Sequence, residues 1–267
     1  MPDRSQFPQR TTALVTGASM GIGLDLARQF AMHGHDLVLV ARHRDTLQAV
    51  AEELKTQHGV SATVMVADLS DPDAPAALFD QVRSANIQID FLINNAGFGL
   101  GGEFSETDGK RELDMIQVNI AALTHLTKLF LPGMLERRAG GIMQVASTAA
   151  FQPGPLMAVY YATKAYVLSF SQALSEELRG TRVTVTALCP GPTATNFADT
   201  AQMANSRLFV HAGVASASDV ARYGYAAMMR GKRIAIPSVR DRVMVQLVRL
   251  TPRAMVTRIV KAIQQNR

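Results

Sequence analysis

Tyr160 and Lys164 stand four residues apart in AVYYATKAYVLSFSQALSEEL, a pattern that predicts a helix, so their side chains share one face. A phenol, with an ordinary pKa of about 10, is a poor acid or base at neutral pH, but a neighbouring ammonium favours the phenolate. The pair is therefore a candidate acid/base device. Taken alone, the same spacing also describes a Tyr ring packed on a Lys stem.

A second stretch with chemical potential is Thr16-Gly17-Ala18-Ser19-Met20-Gly21-Ile22-Gly23. Gly17, Gly21 and Gly23 permit a tight turn, close approach of a phosphate to backbone N–H groups, and close packing of a helix on a strand. The turn sits between the strand pattern TALVT and the helix pattern LDLARQFAMHG, a context that points to the pyrophosphate of a dinucleotide. Thr16 and Ser19 steady this turn, and Met20 and Ile22 complete it as candidate cofactor contacts.

The elements that must position these residues follow a regular order. Strand patterns at 12–16, 36–41, 61–67, 91–94, 141–147, 182–191 and 233–237 alternate with helical patterns. Asp45 is the expected N-cap and Gly59 the expected stop of the second helix; Pro132 and Gly133 are expected to break the helical run 106–137. The alternation predicts an α/β fold, a Rossmann-type doubly wound parallel sheet of about seven strands with helices on both faces and right-handed crossovers. Residues 1–11 read as an arm and 12–240 as a single catalytic domain. Residues 191–215, which lack a clean period, read as a lid, and 241–267 as a basic amphipathic helical tail of the same domain.

Composition narrows the function classes. The chain has 267 residues, 48% of them hydrophobic, enough for a core. No apolar leader opens it and no uninterrupted apolar run suits a membrane span, so a soluble cytoplasmic protein is expected. The single cysteine, Cys189, excludes an intrachain disulfide, and the six histidines show no metal-ligand grouping. From Arg233 onward there are eight Arg/Lys and one Asp, whereas the whole chain carries +5, so residues 1–232 sit near −2. The basicity belongs to the tail, and nucleic-acid binding by the body is not expected.

The form TGxxxGIG differs from G-x-G-x-x-G and resembles the short-chain dehydrogenase/reductase superfamily. Asn94-Asn95-Ala96-Gly97 is similar to that family's NNAG element, and Pro190-Gly191 to its PG element. Asn119, Ser147, Tyr160 and Lys164 fall where its catalytic tetrad would, with Ser147 thirteen residues before Tyr160. The match spans about residues 12–195. It implies hydride transfer between a nicotinamide and a carbonyl or alcohol carbon, with Tyr160 as general acid/base. Lys164 would lower the Tyr160 pKa and bond the nicotinamide ribose, Ser147 would bond the substrate oxygen, and Asn119 would hold a water leading from Lys164 to solvent. Asp68 with Leu69 would meet the adenine, although Asp68 also suits a turn cap. Asn95, Ala96, Gly97, Pro190, Gly191, Thr193 and Thr195 would complete the cofactor cleft.

An NAD-selecting Rossmann enzyme usually carries an acid at the end of the second strand. Here Ala41 is followed by Arg42, His43 and Arg44, and a guanidinium suits a 2′-phosphate. NADP(H) is the expected cofactor, with NAD(H) the alternative; Met20 departs from the basic residue common in the turn of NADP-preferring relatives. Phe98–Gly101, Phe151–Met157 and the lid, with Phe197, Met203, Leu208 and Phe209, are the expected pocket walls, suited to a hydrophobic ketone, aldehyde or 3-oxoacyl compound. Tyr161 reads as a pocket or packing residue.

The tail shows Val243, Leu247, Leu250, Met255, Ile259 and Ile263 at helical spacing among Arg and Lys. A helical pair packed on the body or on another subunit is one reading, and contact with an anionic membrane surface the other. The expected partners are a small-molecule substrate and further copies in a dimer or tetramer. A dinucleotide-binding regulator without turnover, a membrane-associated lipid or acyl reductase, and an epimerase or dehydratase are the rival functions; the last normally needs a larger C-terminal substrate domain.

Overall fold

The computed structural model describes residues 10–201, 203 and 214–265. Strands β1 (Thr12–Thr16), β2 (Asp36–Ala41), β3 (Ala62–Val66), β4 (Phe91–Asn94), β5 (Gly140–Val145) and β6 (Val183–Leu188) form one parallel sheet. A two-residue pair, β7 (Thr193–Ala194) and β8 (Ala215–Ser216), stands apart, and β9 (Ile234–Ala235) closes the main sheet on β6. The order is β3-β2-β1-β4-β5-β6-β9. The chain therefore builds outward from β1 to β3, then returns to the other flank of β1 for β4. That reversal opens a crevice beyond the C-terminal ends of β1 and β4, where doubly wound folds bind ligands.

Period-two alternation sends each strand's side chains to two separate cores. Ala13, Val15, Leu37 and Leu39 pack with Leu26 and Phe30 of α1 (Gly21–Met32) and Leu47 and Leu54 of α2 (Arg44–His58). Leu14, Val38 and Val40 face the other way, onto Leu78 of α3 (Ala74–Ser84) and Leu126 and Phe130 further along. Nearly continuous apolar strands are the signature of a sheet covered on both faces.

The run from Gly109 to Arg137 is one continuous helical rod: α4 (Gly109–Ile116), a π-helical segment Gln117–Ala122, and α5 (Leu123–Arg137). Its 29 residues are long and apolar enough to cross a membrane by length and composition alone. Its inner face, however, is built into the core through Leu123, Leu126, Phe130 and Met134. Pro132 does not break it. Both Pro132 and Lys128, whose carbonyl the ring displaces, lie on the exposed side, so water can take the freed acceptor. Asp45 is likewise not the cap of α2; His43 holds that position, and Asp45 lies inside the first turn, where its charge suits the helix dipole. Gly59 does end α2, at φ 65°.

After β5, Ser147 caps a short 3-10 turn, Thr148–Phe151, and the chain enters α6 (Ala158–Glu177). Beyond β6 come α7 (Phe197–Thr200), α8 (Ala217–Met229) and two terminal helices, α9 (Val239–Leu250) and α10 (Arg253–Gln264).

Candidate active site

Two loops meet at the crevice and are sewn together. Thr16 Oγ1 accepts from the backbone N–H of Asn95 and of Ala96, both at 3.0 Å, and donates to Ile93 O at 3.3 Å. Asn95 Nδ2 donates to Thr16 O at 2.9 Å and Gly17 O at 3.3 Å. Thr16 and Asn95 thus spend their polar atoms on each other's loops. Gly17 adopts φ 66°, and a Cβ on Gly23 would lie 2.2 Å from Gly17 O and 2.3 Å from Asn95 Nδ2, so no larger residue fits there. No side chain caps the start of α1 at Met20, and no acid lies in its first turn. An uncapped helix N-terminus behind a glycine crease fits a pyrophosphate. Ser19 and Ile22 are half-buried on this turn, and Thr195 borders it, its Cγ2 lying 3.1 Å from a Cβ built on Gly21.

Around the rim, Arg42 and Arg44 are exposed just past β2. Burial acts to raise the Asp68 carboxyl, but hydrogen bonds from the Ser70 N–H and hydroxyl, accepted at 3.0 and 2.8 Å, together with Arg42, hold it below the ordinary carboxylate range. It is an Asx-turn former next to buried Leu69. Pro190 O accepts from Thr148 N at 2.9 Å and from the Ser147 hydroxyl at 3.4 Å. Thr193 is buried and donates to Gly191 O at 2.9 Å, and Thr195 Oγ1 accepts from Phe197 N at 3.2 Å.

The four tetrad residues come from two helical elements and one turn yet converge. Asn119 lies in the π-helical segment, fully buried; its amide donates to Phe98 O and Thr163 Oγ1 and accepts from Phe98 N. A π-turn widens the helix by one residue and re-aims a side chain, a recurrent device at functional sites. Gly97 lies against the centre, with a Cβ there 2.9 Å from Asn119 Oδ1 and 3.4 Å from Lys164 Nζ. Ser147 Oγ accepts from Ala149 N at 3.1 Å and lies beside the Tyr160 phenol, where it favours the phenolate. Lys164 is buried, and its amine donates to Val145 O at 2.8 Å.

The electrostatics depart from the sequence expectation for Tyr160. Burial pushes its phenol well above 10, with Ser147 opposing, and Lys164 does not bring it down. Lys164 Nζ lies 5.8 Å from the Tyr160 ring centroid and points to Val145 O. Burial instead lowers Lys164 itself, from 10.5 to about 8. The titration nearest neutrality thus belongs to the amine. Cys189 is buried and its thiol pushed up to about 12, consistent with a structural role.

One wall of the site is apolar. Phe98, Leu100, Met157, Tyr160, Tyr161, Phe197 and Met203 form one cluster. Leu208 and Phe209, also expected there, lie outside the described residues. Phe151 does not join; it packs with Leu123, Ala150 and Val167 in a different cluster. Members that the sequence did not lead one to expect include Val256 and Val260 of α10. Gln264, one turn further, is buried and donates to the Tyr161 hydroxyl. Sequence reading placed the tail's apolar stripe at Met255, Ile259 and Ile263, but the buried stripe is one position on and contains a glutamine, which masks it.

With this geometry in place, comparison with known proteins is informative. Residues 11–205 match the model of the short chain dehydrogenase family. The very-long-chain 3-oxoacyl-CoA reductase of Homo sapiens is 36% identical over 194 residues, covering 70% of this chain and 60% of the reductase, so the chain spans about three fifths of that relative's length. A short-chain dehydrogenase from Sphingobium yanoikuyae in complex with NADPH superposes with a TM-score of 0.80 at 32% identity, covering 91% of this chain and 97% of the other. A short-chain dehydrogenase/reductase from Burkholderia phymatum in complex with NAD gives 0.79 at 26%, covering 89% and 92%. Over its matched span, this chain belongs to the short chain dehydrogenase family.

Proposed function

We propose that the protein is an NADP(H)-dependent oxidoreductase that interconverts a carbonyl and an alcohol on a hydrophobic substrate: a ketone, an aldehyde or a 3-oxoacyl compound. The observation that carries this reading is the buried Tyr160 side chain, set beside Ser147 and buried Lys164 within an apolar cluster. The glycine crease, the uncapped start of α1 and Arg42 would hold the dinucleotide, which when bound supplies or takes the hydride. Tyr160 gives its proton to the substrate oxygen in reduction and takes one in oxidation. Because burial keeps the phenol protonated, the resting residue is poised as an acid. Ser147 donates to the same oxygen as charge develops on it, a contribution typically worth about 3 kcal/mol. Lys164, at about 8, is cationic at neutral pH, and with its amine held on Val145 O it would bond the nicotinamide ribose rather than lower the phenol.

The NADPH-bound and 3-oxoacyl-CoA relatives support cofactor and substrate class. The test is oxidation of NADPH and of NADH, followed by absorbance, across a panel of ketones, aldehydes and 3-oxoacyl thioesters. Tyr160→Phe should lose roughly 10²–10⁴ of turnover with NADPH affinity nearly intact; ordinary activity in that variant would sink the assignment. Arg42→Ala should weaken NADPH roughly 10- to 100-fold and leave NADH unchanged, since a charge-assisted bond is worth about 1.5–3 kcal/mol.

A further inference from the structure

α9 and α10 each present two faces. On α9, Val239, Val243, Leu247 and Leu250 are exposed, Leu250 by 84%, while Val245 on the opposite side is buried. At 3.6 residues per turn the exposed four fall within an arc of about 80°. On α10, Met255, Ile259 and Ile263 form a second exposed stripe beside the buried Val256, Val260 and Gln264. With Met244, eight large apolar side chains face solvent over these two helices.

Arg240, Arg249, Arg253, Arg258 and Lys261 are exposed among them, and none makes an ion pair among the described residues. Residues 242–267 hold six Arg/Lys and no Asp or Glu. The one acid of the two helices, Asp241, is half-buried against Gly191, and a cationic border around an apolar stripe is complementary to a surface that is anionic at its face and apolar just beneath. It is ill-suited to a second copy of itself, whose own six cations would be brought alongside.

We propose that α9 and α10 dock on an anionic lipid bilayer surface, their apolar stripes entering the headgroup boundary and their Arg and Lys side chains meeting lipid phosphates. This inference does not rest on the chemistry proposed above. It has a consequence for access: the helix whose outer stripe meets lipid has its inner stripe, Val256, Val260 and Gln264, built into the wall around Tyr161. A bilayer-borne amphiphile would therefore be delivered beside the site rather than through bulk water.

The test is co-sedimentation of the full chain with vesicles of phosphatidylcholine, with and without phosphatidylglycerol. Binding is expected to the mixed vesicles, little to phosphatidylcholine alone, with a decline as salt rises. Arg249→Gln/Arg253→Gln/Arg258→Gln should weaken partitioning about 100-fold, roughly fivefold per cation. Leu247→Ser/Leu250→Ser/Ile259→Ser should weaken it at least tenfold by a separate route, and these residues point away from the body, so thermal unfolding serves as the control on folding. Absence of binding to mixed vesicles, equal binding to both kinds, or indifference to both triple variants overturns the proposal. So does conversion of a wild-type dimer to monomer by the Leu/Ile variant, which would make a second copy the occupant.

Discussion

The two halves of the cleft are held together by different forces. On the nucleotide side, Thr16 and Gly17 are joined to the stretch from Ile93 to Ala96 by five hydrogen bonds of 2.9–3.3 Å between side chain and backbone, and backbone approaches so closely that Gly23 admits no Cβ. On the substrate side, Phe98, Met157, Phe197, Met203, Val256 and Val260 meet mainly through van der Waals contact. Directional bonds fix one geometry, which a constant ligand needs. Non-directional contacts with two methionines tolerate repacking, which suits ligands of varied shape. A cofactor common to many reactions and a substrate peculiar to one call for these two kinds of wall.

The sharpest way to break this contrast is Gly23→Ala. The new methyl would strike Gly17 O and Asn95 Nδ2, so a loss of about 3 kcal/mol or more in stability is expected, with dinucleotide binding abolished. Denaturant unfolding and NADPH fluorescence titration read both. If Ala were tolerated there, the nucleotide side would be as plastic as the other.

Lys164→Met tests the boundary between the halves. The folded amine titrates at about 8 and the free side chain at 10.5, so below pH 8 both states carry the proton and the folded one bears the cost of burying it. Between those values the unfolded chain still binds the proton and the folded chain does not, and stability rises with pH. The variant should therefore be more stable than the parent at pH 7, by an amount on the order of 2–3 kcal/mol, with the gap closing toward pH 10.5. Turnover should fall throughout. A gap independent of pH, read from melting curves, would remove the buried-charge account.

The smallest effect belongs to Met203→Leu. A volume-conserving change in the apolar wall should cost under about 1.5 kcal/mol and shift KM among bulky ketones while kcat with a small one holds. A larger cost, measured by unfolding, would mean that the substrate side is as exactingly packed as the nucleotide side.

How legible these halves were in the sequence follows the same division. β1, β2 and β4 begin and end where the sequence pattern predicts, at 12–16, 36–41 and 91–94, because a strand buried on both faces has an unbroken apolar interior. The glycine turn was readable because its spacing is a backbone requirement. Asn119 was found by family resemblance, but its π-turn leaves no mark in the residue types Gln117–Ala122. Pro132 misled because propensity ignores which side faces water. The wall supplied by α10 stayed hidden because two stripes, 255/259/263 and 256/260/264, compete on one short helix, and the more apolar of them is the exposed one. Long-range docking decided between them, and local pattern does not encode it.

The bond between Gln264 and Tyr161 spans 103 positions of chain. Synthesis runs from the N-terminus, so Gly23 emerges 241 residues before Gln264, a delay of roughly 10–50 s at ordinary elongation rates. The nucleotide side can assemble during that interval. Leu100, Met157 and Tyr161 meanwhile wait with an apolar surface uncovered until α10 seats on them. Nascent chains stalled short of Val256 should thus hold a formed glycine crease beside an open, adhesive pocket, the stage of this protein's life at which a chaperone has most to cover.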